Sequence, residues 1–207
     1  MSTISASVVK ELREMSGAGM MDCKKALTEA SGNLEKAIDI LRKTGIAKAR
    51  KKSGRSAKEG LIFPYIHPGS KLGVLLELNC ETDFVANTDD FKNLCKDISM
   101  HIAASFPMAV SRDEISNSVL EREKEIYADQ ARQSGKPDEI IEKMIEGRLN
   151  KFFQESVLLE QTFVKDPDKT VNDLITDAVA KLGENIVISR FSRFQLGEKV
   201  TSVSSEE

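Results

Sequence analysis

The chain has 207 residues, 40% of them hydrophobic and 30% charged, with a formal net charge of −3 at pH 7. Such a composition is ordinary for a globular protein of one or two small domains, and the slightly acidic balance gives no general reason to expect binding to nucleic acid or to an anionic membrane. No apolar run reaches the roughly 20 residues of a membrane span, and the first residues lack a secretory-signal pattern, so a cytoplasmic location is expected.

Residues 1–44 predict a compact domain of three short helices, separated by glycine-containing breaks. Asn33 is the expected N-cap of the third helix, which should end near Gly45. The expected helices are residues 5–15, 22–30 and 34–43. Because so small a core must be tightly packed to be stable, the glycine loop at residues 16–19 should be rigid.

Met20 and Met21 follow that loop at the start of the second helix. Adjacent residues on a helix cannot both face the same small core, so at least one of the two side chains should be exposed. An exposed methionine suits the groove of a partner protein, because its side chain is flexible and polarizable. Exposed methionines also occur by chance, and the spacing alone does not decide between these interpretations.

Residues 42–58 form a basic segment that contains no acidic residue. Its cations are Arg42, Lys43, Lys48, Arg50, Lys51, Lys52, Arg55 and Lys58. Gly54 and Ser56 favour a solvated helix followed by a linker, and we assign residues 45–59 as the linker between two domains. A basic segment also suits RNA, but no aromatic side chains for base stacking are interleaved with it.

Two apolar runs around a glycine-containing turn predict a β-hairpin at residues 61–78, and Pro64 indicates that its first strand lies at a sheet edge. The run at residues 186–194 supplies a third strand. It follows a helix that opens at Thr170 and ends at Gly183. Together these elements predict a three-stranded antiparallel sheet covered on one face by helices.

The apolar pattern stops at residues 79–87, where an aromatic residue appears among polar ones. Thr88 is a suitable N-cap for the helix that follows, so Asp83 and Phe84 should lie on a short loop between a strand and a helix. An acid beside an aromatic residue offers a partner both a charge and an apolar wedge. The spacing equally allows Phe84 to turn inward as a core residue.

Residues 111–155 are expected to be helical. Ser111–Glu114 form a capping-box pattern, and Gly135 ends the charged stretch that follows. Pro137 then fits the first turn of a helix whose apolar face, from Ile140 to Phe152, is broad enough to need a cover.

The three cysteines, Cys23, Cys80 and Cys95, lie far apart, and no Cys-x-x-Cys pair is present. Neither a disulfide framework nor a zinc site is expected, so the thiols should be reduced. The sequence also lacks a glycine-rich phosphate loop and the common hydrolase motifs. We therefore expect a protein that works by binding, without catalytic residues, a metal or another cofactor.

The residues thus predict an α+β binding protein. Its expected parts are a three-helix domain at 1–44, a basic linker at 45–59, a core domain at 60–197 and a flexible tail at 198–207.

Six stretches carry a resemblance to a known family. They are residues 9–13 (VKELR), 17–27 (GAGMMDCKKAL), 79–86 (NCETDFVA), 133–137 (QSGKP), 146–148 (EGR) and 163–164 (FV). Together, in this order and over nearly the whole chain, they resemble translation elongation factor Ts. The resemblance implies a guanine nucleotide exchange factor for elongation factor Tu, which acts in translation elongation without making or breaking a covalent bond.

The resemblance also assigns residues to that task. It implies that residues 1–44 form a ubiquitin-associated-like (UBA-like) domain, which docks on the GTPase domain of elongation factor Tu through Arg13, Met20 and Met21. The family segment credited with dislodging Mg²⁺ from elongation factor Tu matches four residues here: Thr82, Asp83, Phe84 and Val85. Asp83 and Phe84 would be its main contacts.

Only one hairpin is evident in this chain, whereas longer members of the family carry a second hairpin-containing half and an inserted dimerisation region. The short members, which pair two chains, are the better comparison, and they imply a homodimer. The apolar face from Ile140 to Phe152 supports this independently.

Two other functions remain open on the residues alone. One is an RNA-associated ribosomal accessory protein that uses residues 42–58, whose binding should fall steeply with salt. The other is a ubiquitin-type or peptide adaptor built on the first domain alone, which truncation at residue 55 would leave active.

Overall fold

The computed structural model describes residues 4–133 and 137–198, and it confirms the predicted α+β fold. The helices and strands in this part of the chain are α1 (Ala6–Ser16), α2 (Met20–Glu29), α3 (Leu34–Lys52), β1 (Glu59–Ile66), β2 (Leu72–Cys80), α4 (Asp83–Ala86), α5 (Asp89–Ser105), α6 (Asn117–Arg132), α7 (Asp138–Ser156), α8 (Val171–Leu182) and β3 (Val187–Gln195). None of these helices is long and apolar enough to cross a membrane.

The three N-terminal helices pack around a small core, as predicted. Ser5 caps α1 through its side chain, and Gly17 ends the helix with a φ of 66°, which glycine adopts without strain. Leu12, Leu27 and the thiol of Cys23 are fully buried in the middle of this core. The two methionines that open α2 lie outside it.

The predicted end of the third helix near Gly45 is wrong, because α3 continues to Lys52. Gly45 lies so close to α8 that a β-carbon at this position would come within 3.3 Å of the Ala180 methyl group. Ala49, one turn later, packs against the core of the sheet. These contacts offset the roughly 1 kcal/mol that a glycine costs inside a helix. The first half of the segment 45–59, assigned above as a linker, is therefore helical, while the domain division itself stays a prediction.

The predicted antiparallel sheet is confirmed, with β2 in the centre and β1 and β3 at the edges. Pro64 lies in the edge strand β1, as expected for a residue without an N–H donor. Leu76 and Leu78 of β2 point to the inner face, where Phe91 and Ile98 of α5 are fully buried with them. This layer of sheet and helices holds the main hydrophobic core.

The outer face of the sheet carries large exposed apolar side chains. Ile66 of β1 and Phe194 of β3 lie on either side of Gly73 in the register of the sheet, and Leu75 comes next on the same face of β2. Phe194 is 68% exposed, and Leu75 in the central strand is 46% exposed. We call Ile66, Leu75 and Phe194 the outer sheet patch.

The helical hairpin of α6 and α7 begins later than the sequence predicted. The prediction that Ser111–Glu114 cap a helix is wrong, because Arg112–Glu114 form a single 3-10 turn and α6 begins at Asn117. Ile115 is buried beside Val157, and its extended backbone interrupts the helical path. The predicted break at Gly135 and the residues beyond 198 of the predicted tail lie outside the described residues.

The apolar face of α7 is covered in part by another helix of the same chain. α6 packs along α7, and Ile141 near the start of α7 is only 9% exposed. Ile140 at the start of the helix remains 45% exposed. The prediction that the apolar face from Ile140 to Phe152 lacks a cover is therefore wrong, because the preceding helix, α6, packs along α7.

The last helix has the predicted boundaries. Thr170 and Asp173 form a capping box at the start of α8, in which each side chain accepts a hydrogen bond from the other residue's amide. Gly183 ends the helix in the left-handed conformation, with a φ of 83°. The short turn that follows it leads into β3 and passes beside the end of β2.

Candidate partner-binding site

The segment between β2 and α5 forms one helical turn, α4, where the sequence predicted a loop. Thr82 caps this turn, because its hydroxyl accepts a hydrogen bond from the Val85 amide at 3.4 Å. The Asn87 side chain donates to the Asp83 carbonyl at 2.9 Å. Thr88 then caps α5, as predicted. Two caps in succession give the segment a fixed path.

The turn faces outward on one side only. Ala86 is buried, and Val85 packs partly buried against the core of the sheet. Phe84 lies on the opposite side with 83% of its surface exposed, and Asp83 beside it is exposed as well. Of the two interpretations that the sequence allowed for Phe84, the exposed one is therefore correct. Of the four predicted site residues, Asp83 and Phe84 are exposed to solvent, whereas Thr82 and Val85 are half-buried and hold the turn in position.

One carboxylate in the turn after α8 holds the start of this segment. Oε2 of Glu184 accepts hydrogen bonds from the amides of Glu81 at 3.1 Å and Thr82 at 3.0 Å. Its other oxygen, Oε1, accepts a bond from the Thr82 hydroxyl at 2.6 Å. These amides follow the last residue of β2 and have no partner in the sheet. Glu184 therefore provides the acceptors that this stretch of backbone needs.

The attachment is reciprocal and extends to the basic segment. Oε1 of Glu81 accepts a hydrogen bond from the Asn185 amide at 2.7 Å. The Asn185 side chain donates to the Arg55 carbonyl at 2.8 Å, and the Arg55 guanidinium lies 3.5 Å from Glu81. Lys52, at the end of α3, donates to the carbonyl of Gly183. The turn after α8 is thus bonded both to the candidate site and to the end of α3.

The sequence did not indicate Glu184 or Asn185. Glu184 contacts a residue 102 positions away, and no local pattern reports a contact at that distance. The one available signal was the glycine that ends α8, since a sharp turn there brings the next residues back toward the sheet.

The cysteines near the site are structural. Burial raises the pKa of the Cys80 thiol, and the negative charge of Glu184 raises it further. The thiol donates to the Thr82 carbonyl at 3.1 Å. Burial raises the pKa of Cys95 to about 12. Both groups are therefore protonated at neutral pH, and within the described ranges no group of three or more His, Cys, Asp and Glu residues is arranged to hold a metal ion.

The N-terminal helices carry a second exposed surface. Arg13 on α1 is exposed, and Met20 and Met21 at the start of α2 are 45% and 63% exposed. The prediction that at least one of the two methionines is exposed is confirmed. Met15, at the end of α1, is exposed as well, although helical spacing predicts it on the same apolar face as the buried Leu12. These four residues lie on the first two helices, apart from α4 in the chain.

The basic segment is partly used inside the chain. Lys48 forms an ion pair with Asp22 at 2.7 Å, and the Lys52 and Arg55 contacts described above join α3 to the turn after α8. Three of its eight cations therefore have structural partners, which reduces the charge available for RNA.

Comparison with known proteins identifies the family. The family model described as Elongation factor TS matches residues 3–198. The chain belongs to the elongation factor Ts family. Its relatives include the elongation factor Ts of Thermoanaerobacter sp. (strain X514), which is 58% identical over 203 residues, or 98% of this chain and 100% of the relative. The elongation factor Ts of Fervidobacterium nodosum is 62% identical over 195 residues, or 94% of this chain and 99% of the relative.

The similarity covers both the three N-terminal helices and the sheet. A third relative, the elongation factor Ts of Geobacter sulfurreducens, is 56% identical over 204 residues, which are 99% of this chain and 94% of that protein. Elongation factor Ts is the nucleotide exchange factor for elongation factor Tu in translation elongation, and it is not an enzyme. The function that the sequence predicted is confirmed, whereas the residues that carry it remain to be tested.

Proposed function

We propose that Asp83 and Phe84 are the residues with which this chain loosens GDP in elongation factor Tu. The aromatic ring enters the partner near the nucleotide and shifts the groups that hold Mg²⁺ and the phosphates. The exposed Phe84 carries this proposal: its ring is 83% exposed on a turn whose backbone is fixed by caps and by Glu184. A rigid, exposed aromatic residue loses little conformational entropy on binding, and such residues supply much of the binding energy of protein interfaces.

The energy required is modest. Bound GDP depends on a metal ion and on a loop that surrounds the phosphates, so a small displacement of either weakens both contacts. Accelerating release by about a thousandfold takes only about 4 kcal/mol from the barrier. A few buried contacts around one aromatic ring can supply that amount. Linkage then requires that GDP weakens the exchange factor as much as the factor weakens GDP, so returning nucleotide releases it.

The first domain is proposed to dock on the GTPase domain of the same partner. Arg13 offers a charge, and Met20 and Met21 offer a flexible apolar surface; all three are exposed on α1 and α2. This surface supplies affinity, whereas Phe84 supplies the displacement. Removal of α1 and α2 should therefore weaken binding more than it lowers the exchange rate at saturation.

The test is the release of a fluorescent GDP from elongation factor Tu, with catalytic amounts of wild-type protein or of the Asp83→Ala/Phe84→Ala variant. We expect strong acceleration by the wild type and a loss of at least about tenfold in the variant, since each buried interface aromatic can contribute more than 1 kcal/mol. Thermal unfolding should be nearly unchanged, because an exposed side chain contributes at most about 0.5 kcal/mol to stability.

Phe106→Ala is the matched control, because Phe106 is another exposed phenylalanine and lies on none of the proposed surfaces. It should exchange nucleotide at the wild-type rate. Normal exchange by the Asp83→Ala/Phe84→Ala variant would refute the proposed role of the turn.

We also infer that two copies of this chain form a homodimer through the outer sheet patch. The patch is a contiguous apolar surface on an antiparallel sheet, and a surface of this kind on a small protein is typical of an interface. A two-fold axis would bring the patch of one copy against that of the other. An ion pair between Glu77 and Arg190, at 2.6 Å on the same face, gives the patch a polar border.

A further inference from the structure

Glu184 is bonded to the two residues that lead into the exposed turn. Its side chain is partly buried, and its two oxygens accept three hydrogen bonds, all from Glu81 and Thr82. Hydrogen bonds to an ionised acceptor are roughly twice as strong as those between neutral groups. Glu184 therefore fixes the residues that directly precede Asp83.

Thr82 passes this constraint on to the exposed side chains. Its hydroxyl donates to Glu184 and accepts from the Val85 amide, so the bond to the carboxylate also sets the rotamer that caps α4. A cap determines where a helical turn begins, and the start of a turn determines the direction of every side chain on it. The direction in which Phe84 points thus depends on a residue in a different part of the chain.

The same turn after α8 is attached to the far end of α3. Lys52 donates to the Gly183 carbonyl, and Asn185 donates to the carbonyl of Arg55. Glu184 lies between these two attachment points. Its position is therefore set by the helix that leaves the first domain as well as by α8.

We propose that Glu184 is a positioning residue for nucleotide exchange: it holds the Phe84 side chain, through Thr82, in the direction that the partner requires, and it does not contact the partner itself. This inference rests on the proposed function of Asp83 and Phe84. It predicts that the neutral isostere at position 184 impairs exchange while leaving the first-domain surface intact.

The test variant is Glu184→Gln, which keeps the volume but replaces one acceptor oxygen with an N–H donor. If the Gln oxygen keeps the two backbone amides, its N–H must face the Thr82 hydroxyl, which then accepts where it donated before, and all three bonds lose the charge of the carboxylate. We expect the maximal exchange rate to fall about tenfold, because hydrogen bonds to a charged acceptor are roughly twice as strong as those to a neutral one. The concentration of variant at half-maximal exchange should change less than threefold, because docking through Arg13 and the methionines is unaffected.

A second readout reports the turn directly. Hydrogen exchange of the Glu81 and Thr82 amides should become at least tenfold faster in Glu184→Gln, whereas amides in the centre of β2 keep their protection. Glu160→Gln is the matched control. Glu160 is also partly buried and accepts two bonds from Arg112, but it lies far along the chain from the turn. It should leave nucleotide exchange unchanged.

Two results would overturn the proposal. One is a Glu184→Gln variant that exchanges GDP at the wild-type rate. The other is a fall in exchange that is matched by faster hydrogen exchange throughout the sheet, since this would make Glu184 a general stabilising residue. If Glu184→Gln does not fold, Thr82→Val and Thr82→Ser decide: only Thr82→Ser retains the hydroxyl, so equal exchange by the two variants refutes the route through Thr82.

The role of Glu184 and the proposed function of Asp83 and Phe84 can fail separately. If the Asp83→Ala/Phe84→Ala variant exchanges normally, the turn has no role, and the inference about Glu184 falls with it. If that variant is impaired but Glu184→Gln is normal, only the positioning role is refuted.

Discussion

At the scale of single residues, Phe84 is an apolar side chain that is exposed, whereas His101 is a polar side chain that is buried. An exposed Phe84 forgoes the roughly 1.5–3 kcal/mol that burying a large apolar side chain contributes, and the neighbouring Val85 and Ala86 supply the inward contacts of the turn. His101 is a polar residue with no exposed surface. Its Nδ1 accepts a hydrogen bond from the Val164 amide at 3.2 Å, and its Nε2 lies 2.9 Å from Gln161 Oε1.

The environment of His101 predicts how stability depends on pH. Because Nδ1 accepts a bond, the neutral ring carries its proton on Nε2 and donates it to Gln161. Burial lowers the pKa of His101 below its ordinary value of 6.5, although the Gln161 bond partly opposes this. The unfolded chain therefore binds a proton near pH 6.5 while the folded chain does not. The contribution of His101 to the free energy of unfolding is therefore complete above that pH and is lost as the pH falls below it.

We expect the free energy of unfolding to fall by up to about 1.4 kcal/mol per pH unit below pH 6.5 because of this one group. His101→Gln provides a side chain that does not titrate and has both a donor and an acceptor. Denaturant unfolding of the two proteins between pH 7.5 and 5 measures the difference. Parallel curves for wild type and variant would contradict the assignment, and His67→Gln, at an exposed histidine, is the control for the same substitution outside the core.

At the scale of elements, Gly45 in α3 and Gly60 in β1 are favoured for different steric reasons. Gly45 lies inside α3 because the helix passes close to α8 there. Gly60 lies in β1 with a φ of 143°, and a β-carbon at that position would come within 2.2 Å of the Leu78 carbonyl oxygen. Only glycine fits between these strands without moving the backbone.

Gly60→Ala should therefore destabilise the sheet by about 2 kcal/mol or more, through steric overlap and a backbone conformation that alanine rarely adopts. The expected fall in Tm is about 5 °C or more. Gly54→Ala is the matched control, because its β-carbon would meet nothing within 4 Å and its φ is not in the restricted region. Thermal unfolding followed by circular dichroism compares them. Equal Tm values for the two variants would show that β1 can shift to accept the methyl group.

The contrast between Gly45 and Thr170 also explains which elements the sequence predicts. The cap at Thr170 is a local pattern whose partner is three residues away, and it appears in the structure as expected. The predictions of a helix end at Gly45 and of a helix cap at Ser111 were wrong because contacts with distant residues determine both places. Ala180 lies against Gly45, and the burial of Ile115 interrupts the helix after Ser111. In the candidate site, the neighbours of Asp83 and Phe84 indicated an exposed connection but left the direction of Phe84 open, whereas Glu184 gave no local signal because its partners are distant in sequence.

At the scale of the whole molecule, the sheet has one buried face and one exposed face. The inner face packs on α5, and the outer sheet patch has no cover among the described residues. The sequence predicted a dimer from the α7 face instead, since periodicity identifies an apolar face but not the element that covers it. The helix α6 covers most of that face, which leaves the sheet as the surface that the proposed dimer uses.

The proposed dimer predicts that Leu75→Glu gives a monomer. A carboxylate in the centre of the patch would be buried against its own copy across the two-fold axis, and burying an unpaired charge costs several kcal/mol. Sedimentation equilibrium at tens of micromolar protein measures the mass. Ile126→Glu adds the same charge to a partly exposed position on α6 and should remain dimeric. A wild-type protein that sediments as a monomer would refute the dimer.

The length of α3 has a consequence for how the partner is held. Its 19 residues span about 28 Å as one continuous rod, which begins beside α1 and α2 and ends bonded to the turn after α8. In the proposed complex, this stiff helix joins the surface of α1 and α2 to the turn at Phe84, so once either surface has bound, the other meets its target at a high effective concentration. Two individually weak contacts would then act with the avidity of a strong one. Because this advantage requires both contacts at once, displacement of either by returning nucleotide would let the whole complex dissociate quickly.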